Sequence, residues 1–208
     1  MDFIKHILGF GKKQVNKKLK NPGNFNEQPA PQNEMAIKLL DFKTMMDSLL
    51  REKRYIAKSD YSAKIKEYEK VIESFNVLQS TGMIENFCIC NNMSEEDIHT
   101  AIDLFENVSS YIDKHNDDYI TQAMEDNKEY LDNILKTVDP AIMLDEDQRK
   151  VVLTDEDYCL VIAGAGAGKT TTVAAKVKYL VDKKGVSPSQ ILVVSFTNKA
   201  VNELKEWC

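Results

Sequence analysis

Long apolar runs are what this 208-residue chain most clearly lacks. Crossing a bilayer takes roughly 18–20 consecutive apolar residues. The longest candidate, residues 159–163, stops at glycines, so no membrane span is expected. Cysteine is scarce too, with four in the chain. Cys88, Cys90, Cys159 and Cys208 follow no disulfide-framework spacing. The Cys88-x-Cys90 pair has no second metal pair or histidine cluster beside it, which argues against a zinc site and for free thiols in a reducing cytoplasm. The three histidines, His6, His99 and His115, lie far apart without partner spacing, and no catalytic constellation is visible between residues 1 and 143.

Positive charge is in deficit overall and concentrated where it occurs. The first twenty residues carry six lysines against Asp2, a balance of +5, so the remainder holds −11 of the −6 total. An acidic body argues against non-specific nucleic-acid binding but leaves room for a local basic path. Phe3, Ile4, Ile7 and Leu8 share one helical face before the lysines, giving a basic amphipathic tail over 1–20 that Gly9 and Gly11 interrupt. Its charges follow the apolar stretch, which is the reverse of a secretory signal.

Proline is sparse, and three of the five prolines fall in 21–33, marking a linker. A helical accessory region is expected from 34 to 139. Met35, Leu39, Phe42, Met46 and Leu49 are spaced for one amphipathic helix, and Tyr61, Ile65, Tyr68, Ile72 and Phe75 for another. With Ser59 and Asp60 as cap types between them, an antiparallel hairpin is predicted. Ser94 and the acids after it open a third helix with the stripe Ile98, Ile102, Phe105, Val108 and Ile112. A fourth carries Ile120, Met124, Leu131, Ile134 and Val138 up to Asp139-Pro140.

From 140 to 208 the texture changes. Two short apolar runs, 159–163 and 191–195, flank a helix signal from about Lys169 to Lys183, as a βαβ unit with parallel strands and a right-handed crossover would. The expected fold class is therefore α followed by the start of a P-loop parallel α/β domain. Between strand and helix stands Ala163-Gly164-Ala165-Gly166-Ala167-Gly168-Lys169-Thr170. Small residues let backbone N–H groups approach an anionic polyphosphate closely, and the following helix aims its positive end at the same place. Lys169 is the residue to reach the β- and γ-phosphates, and the Thr170 hydroxyl the one to bind Mg²⁺. The strict P-loop pattern has glycine where Ala163 stands.

Upstream lies Leu144-Asp145-Glu146-Asp147-Gln148-Arg149-Lys150-Val151-Val152, and downstream the segment from Ile191 to Leu204 with Ser195-Phe196-Thr197-Asn198-Lys199 at its centre. Together with the alanine-rich loop they resemble the Q motif, Walker A and motif Ia of UvrD/Rep-type superfamily 1 DNA helicases, in that order, over about 144–207. Alanine at 163 is what that family tends to carry. The helical extension before the Q motif is similar to helicase IV-like members. The resemblance implies a RecA-like ATP-binding domain and ATP with Mg²⁺. It implies Lys169 and Thr170 in catalysis, Thr170 on the metal, and a nucleotide cradle of Ala163, Gly164, Ala165, Gly166, Ala167, Gly168, Lys169, Thr170 and Thr171. Gln148 would read the adenine edge, and Phe196, Thr197, Asn198 and Lys199 would contact single-stranded DNA by stacking, polar contact and charge. Movement would be 3′-to-5′.

The family also needs a second acidic motif, phosphate-sensing arginines and a second motor domain. None is visible here, so the expectation is the N-terminal piece of a longer helicase, weak or inactive in ATP hydrolysis, whose partner is the rest of that protein. Asp145 to Asp147 precede the loop and follow no apolar run, so they are read as first-turn helix acids. Two other functions fit less of the sequence: another P-loop ATPase or kinase, and a non-enzymatic protein whose helical region binds an unknown protein partner.

Overall fold

A computed structural model describes residues 33–195 and 197–207, so the basic tail and nearly all of the linker lie outside the described residues, as do Phe196 and Cys208. The described residues form helices and no strand. They group into two compact units: one takes the residues up to Glu52 and Tyr61–Tyr111, the other Lys53–Asp60 and the chain from Ile112 on.

In the first unit, α1 (Glu34–Leu50) buries Ala36, Leu39, Phe42, Met46 and Leu49, the stripe its apolar spacing dictates. Asn33 caps it by accepting from the Met35 N–H at 2.9 Å. Helix α2 (Lys58–Ser80) buries Val71, Ile72, Phe75 and Leu78. The chain then turns at Gly82, φ +68°, into the eight-residue α3 (Ile84–Asn91), a helix that apolar spacing did not announce. Helix α4 (Glu95–Glu106) starts at Ser94, whose Oγ accepts from the Asp97 N–H at 3.0 Å. The expected α1–α2 hairpin is not the main pairing, because α1 packs chiefly on α4. Phe42, fully buried, meets Phe105 edge-on at 5.8 Å and Tyr68 of α2 at 5.2 Å.

Two expected helices are each broken by an asparagine. The stripe through Phe105 and Val108 is split at Asn107 between α4 and α5 (Val108–Asp126), and the next at Asn127 before α6 (Lys128–Asn133). Asn107 Nδ2 donates to the Asp103 carboxylate at 2.8 Å, and Asn127 Nδ2 to the Ala123 carbonyl at 2.8 Å. The Asn127 bond to a backbone carbonyl competes with the helical ladder, whereas the Asn107 bond joins two side chains, and the apolar period runs on through each break.

The second unit has its core in Ile120, Leu131, Leu135, Leu144, Val152, Leu153 and Tyr179, with Tyr55 and Tyr130 packed against it. The segment 53–60 is strapped to this core. Asn116, buried, accepts from the Ile56 N–H at 2.8 Å and donates to the Ile56 carbonyl at 2.9 Å, pairing both backbone groups of a residue with no exposure. Tyr55 beside it is pushed up to about 12, by burial first and then by Glu156. Ser59 and Asp60 do not cap α2 as expected. The helix starts at Lys58, and Asp60 reaches back to accept from the Ala57 N–H at 2.8 Å and from Arg54 at 2.6 Å. Glu156 and Asp157 accept from the Lys58 and Ser59 N–H groups at 3.0 and 2.8 Å, so two carboxylates stand at the positive helix end.

Helix α7 (Glu146–Leu153) packs on α8 (Lys169–Asp182), and α9 (Asn198–Trp207) packs on α8 as well, with a short 3₁₀ turn at Pro188–Gln190. The two strands expected at 159–163 and 191–195 are not formed among the described residues. Apolar composition suits a strand but does not make one, because a strand exists only through its ladder. No backbone hydrogen bond joins these two runs. Leu160, Ile162, Leu192 and Val194 stand 87, 91, 87 and 83% exposed. Cys88, Cys90 and Cys159 are free thiols, and no described helix is long and apolar enough to cross a membrane.

Replacing Asn116 by leucine leaves the buried Ile56 N–H and carbonyl without partners, and urea denaturation should register a loss of about 1–3 kcal/mol. Asp97 offers a pH signature. Hydrogen bonds from Lys43, at 2.7 Å, and from Ser94 hold its carboxyl below the usual range. A carboxyl lowered by folding stabilises the native state above its unfolded pKa of about 4, and that contribution fades as pH falls through the folded value. The acid limb of the stability curve should therefore flatten in Asp97→Asn, measured by thermal melts between about pH 2 and 5.

Candidate nucleotide site

Asp145 and Gln148 open α7 with a reciprocal capping box. Asp145 accepts from the Gln148 N–H at 2.8 Å, and Gln148 Oε1 accepts from the Asp145 N–H at 3.0 Å. Glu146 and Asp147 occupy the first turn, as the acid run predicted. With Oε1 engaged, the Gln148 amide swings Nε2 toward the glycine loop, where it donates to the Ala167 carbonyl at 3.3 Å. A weak capping device thus brings a glutamine 19 residues upstream onto the loop.

The loop itself is exposed from Gly164 to Ala167 and turns through Gly166 and Gly168 at φ +79° and +72°. Gly168 is the N-cap of α8, and a Cβ there would stand 2.5 Å from Gln148 Nε2. Glycine is required twice over at 168, by conformation and by the approach of that amide. Beyond it, the N–H groups of Lys169, Thr170 and Thr171 have no backbone acceptor among the described residues, as the first turn of any helix leaves them. They point along the positive end of α8, where an anion is favoured. Thr172 Oγ1 closes the turn by donating to the Gly168 carbonyl at 3.0 Å.

Lys169 folds its ammonium back over the loop, donating to the Gly164 carbonyl at 2.7 Å and to Ala163 at 3.3 Å. Thr170 is half-buried beside it. A cleft of about 760 Å³ has Gln148, Gly164, Ala167 and Lys169 on its border, but it extends between the unpaired apolar runs, with Val161, Ile162 and 191–194 also lining it. The geometry thus brings together Gln148, Ala163 to Ala167 and Lys169. The donor set, free helix N–H groups plus a lysine and a glutamine amide, suits a nucleotide triphosphate, with the Thr170 hydroxyl as the group that would hold Mg²⁺. Among the described residues no His, Cys, Asp and Glu cluster could hold a metal alone.

The downstream set is only partly described, since Phe196 lies outside the described residues. Thr197 caps α9, its Oγ1 accepting from the Ala200 N–H at 3.2 Å. Asn198 and Lys199 are exposed in the first turn, and Lys199 stands 3.8 Å from Glu203. A second cleft of about 480 Å³ lies between α8 and α9. Sequence spacing missed Lys176 of α8, which donates to the Val152 carbonyl at 2.9 Å and to that of Thr154. It also missed Arg149, which ties Asp132 at 2.6 Å to the Leu144 carbonyl at 2.9 Å. A lysine in a helix stripe gives no sequence sign of the backbone it will meet.

Comparison with known proteins bears on the same span. The UvrD/REP helicase N-terminal domain family model matches residues 144–207. A probable DNA helicase II homolog of Mycoplasma capricolum is 45% identical over 64 residues, 31% of this chain and 9% of that protein. The ATP-dependent DNA helicase PcrA of Staphylococcus aureus is 44% identical over 63 residues, 30% of this chain and 9% of its own. The chain thus covers less than a tenth of the length of these relatives. No solved structure matches it.

Substituting Gly168 by alanine should cost about 1–2 kcal/mol from the left-handed backbone alone, read by urea denaturation. The same change should push the Gln148 amide off Ala167, which the side-chain amide resonances of Gln148 would report.

Proposed function

We propose that residues 140–208 form the opening part of the ATP-binding domain of a UvrD/REP-type DNA helicase, with 34–139 as a helical accessory region. In that domain the runs 159–163 and 191–195 supply strands of a parallel sheet once further strands pair with them. The observation that carries the proposal is the convergence of Gln148 and Lys169 on one glycine loop within the span similar to helicases. Gln148 would offer a donor and an acceptor to adenine, giving preference for ATP. Lys169, released from the Ala163 and Gly164 carbonyls, would neutralise the β- and γ-phosphates, and the free N–H groups of α8 would take the remaining oxygens. Mg²⁺, held by Thr170, supplies charge neutralisation at the transferred phosphoryl group.

ATP-gated movement along single-stranded DNA, 3′-to-5′, belongs to the complete protein. Thr197, Asn198 and Lys199, together with Phe196, contribute the first part of that strand path. The 208 residues alone should bind nucleotide with little turnover, because phosphoryl transfer to water needs a positioned acid and a second set of cationic groups.

Titration of the chain with a fluorescent ATP analogue in Mg²⁺ tests the proposal. Lys169→Ala should weaken binding at least about tenfold, or 1.4 kcal/mol, and Gln148→Ala should abolish preference for ATP over GTP. No nucleotide binding by the unaltered chain, or equal binding by Lys169→Ala, would sink it. For the strand path, Lys199→Ala should lower single-stranded DNA affinity and reduce its salt dependence by about one counterion.

A further inference from the structure

Helices α7 and α8 are tied at two places. At the N-terminal end of α7 the tie is Gln148 Nε2 on the Ala167 carbonyl, at 3.3 Å and from a half-buried side chain. That is a long, neutral hydrogen bond, easily exchanged for water. At the other end the tie is Lys176, whose ammonium donates to the Val152 carbonyl at 2.9 Å and to the Thr154 carbonyl. These belong to the last turn and C-cap of α7, where carbonyls have no helical partner and the negative end of the helix favours a cation. Lys176 is largely desolvated, and burial pushes its ammonium below the usual lysine range. A charge-assisted bond to two carbonyls is the stronger of the two ties.

Ala167 lies in the loop before the Gly168 N-cap of α8, and Lys176 lies about two turns into that helix. Gln148 and Val152 are one helical turn apart on α7, about 6 Å. One tie leaves a two-turn helix free to pivot and slide on its neighbour, whereas two at opposite ends fix both its rotation and its register. The weak tie at Gln148 is therefore made by a residue whose register against α8 the strong tie sets, while Arg149, paired with Asp132 at 2.6 Å, holds the same turn of α7 on a different side chain. Val152, Leu153, Ala174 and Ala175 share one buried apolar cluster, which supplies the driving force for bringing α7 and α8 together but, unlike a hydrogen bond, has no donor and acceptor to align.

We propose that Lys176 is a positioning residue that sets the nucleotide base preference of this site by holding α7, and with it Gln148, in register with the P-loop helix. The proposal rests on the nucleotide function above for its selectivity half only. Its register half concerns the protein without ligand.

The experiment uses the 208-residue chain with Lys176→Met, which keeps the stem and removes the donors, and Lys176→Arg, which restores donors. Lys176→Gln replaces the methionine variant if the latter fails to fold by far-UV circular dichroism. In ¹⁵N-labelled protein without nucleotide, the Gln148 side-chain amide should move to the position of an exposed glutamine in Lys176→Met and return in Lys176→Arg. In titrations with fluorescent ATP and GTP, the ratio of the two dissociation constants should fall at least about tenfold toward unity in Lys176→Met and recover in Lys176→Arg. An unmoved Gln148 resonance in Lys176→Met overturns the register half. An unchanged ATP-to-GTP ratio overturns the selectivity half. If the unaltered chain shows no preference for ATP, the adenine role of Gln148 fails and the selectivity half with it, while the resonance still decides register.

Discussion

Backbone groups at helix ends and in irregular segments need hydrogen-bond partners, and in the second unit those partners are side chains from distant parts of the chain. No sheet links the segments among the described residues. Asn116 therefore takes both backbone groups of Ile56, Glu156 and Asp157 take the first N–H groups of α2, Arg149 takes the Leu144 carbonyl, and Lys176 takes the end of α7. Apolar burial supplies the driving force for this core but is indifferent to direction. The side-chain bonds decide which segment lies where, and an unpaired buried group would oppose any alternative arrangement. The described buried side chains leave no polar atom without a partner.

The same economy operates in the glycine loop. Lys169 and Gln148, the two side chains assigned to ATP, already serve the loop's own carbonyls. On the proposed function, nucleotide binding there would be an exchange of partners, its net strength the difference between phosphate and carbonyl as acceptors for an ammonium. That difference favours the phosphate because the interaction becomes charge with charge. Lys169 thus spans the loop in this structure and, on the proposed function, would be available to an anion. The far end of α8 is pinned independently, by Tyr130 donating to Asp182 at 3.1 Å and by Lys184 paired with Asp155 at 2.9 Å. The helix is therefore held as a rod behind the loop.

Much of the helical architecture was legible because burial imposes a period: Leu39, Phe42, Met46 and Leu49 could be read directly. Period is blind to where a helix stops, so the breaks at Asn107 and Asn127 passed unseen, although at Asn127 the side chain takes a helix carbonyl. The short α3 was missed for want of length to show a period. At the site, the glycine loop and Lys169 stood out by residue type and spacing, since phosphate chemistry demands small residues and a cation, whereas Gln148 was singled out only through the family resemblance. Strand pairing at 159–163 and 191–195 was not, because a ladder depends on neighbours that apolar composition does not specify. Lys176 was invisible for a different reason: its partners are backbone carbonyls, which every residue has.

The strap at 53–60 means that the chain leaves the first unit, joins the second, returns and leaves again. The two units are compact in space but not contiguous in sequence. No single cut in the gene or by a protease can separate them, and no simple fusion could have brought them together as finished modules. Removing the first unit would mean taking out two separate segments, the one ending at Glu52 and Tyr61–Tyr111, while keeping Lys53–Asp60 between them.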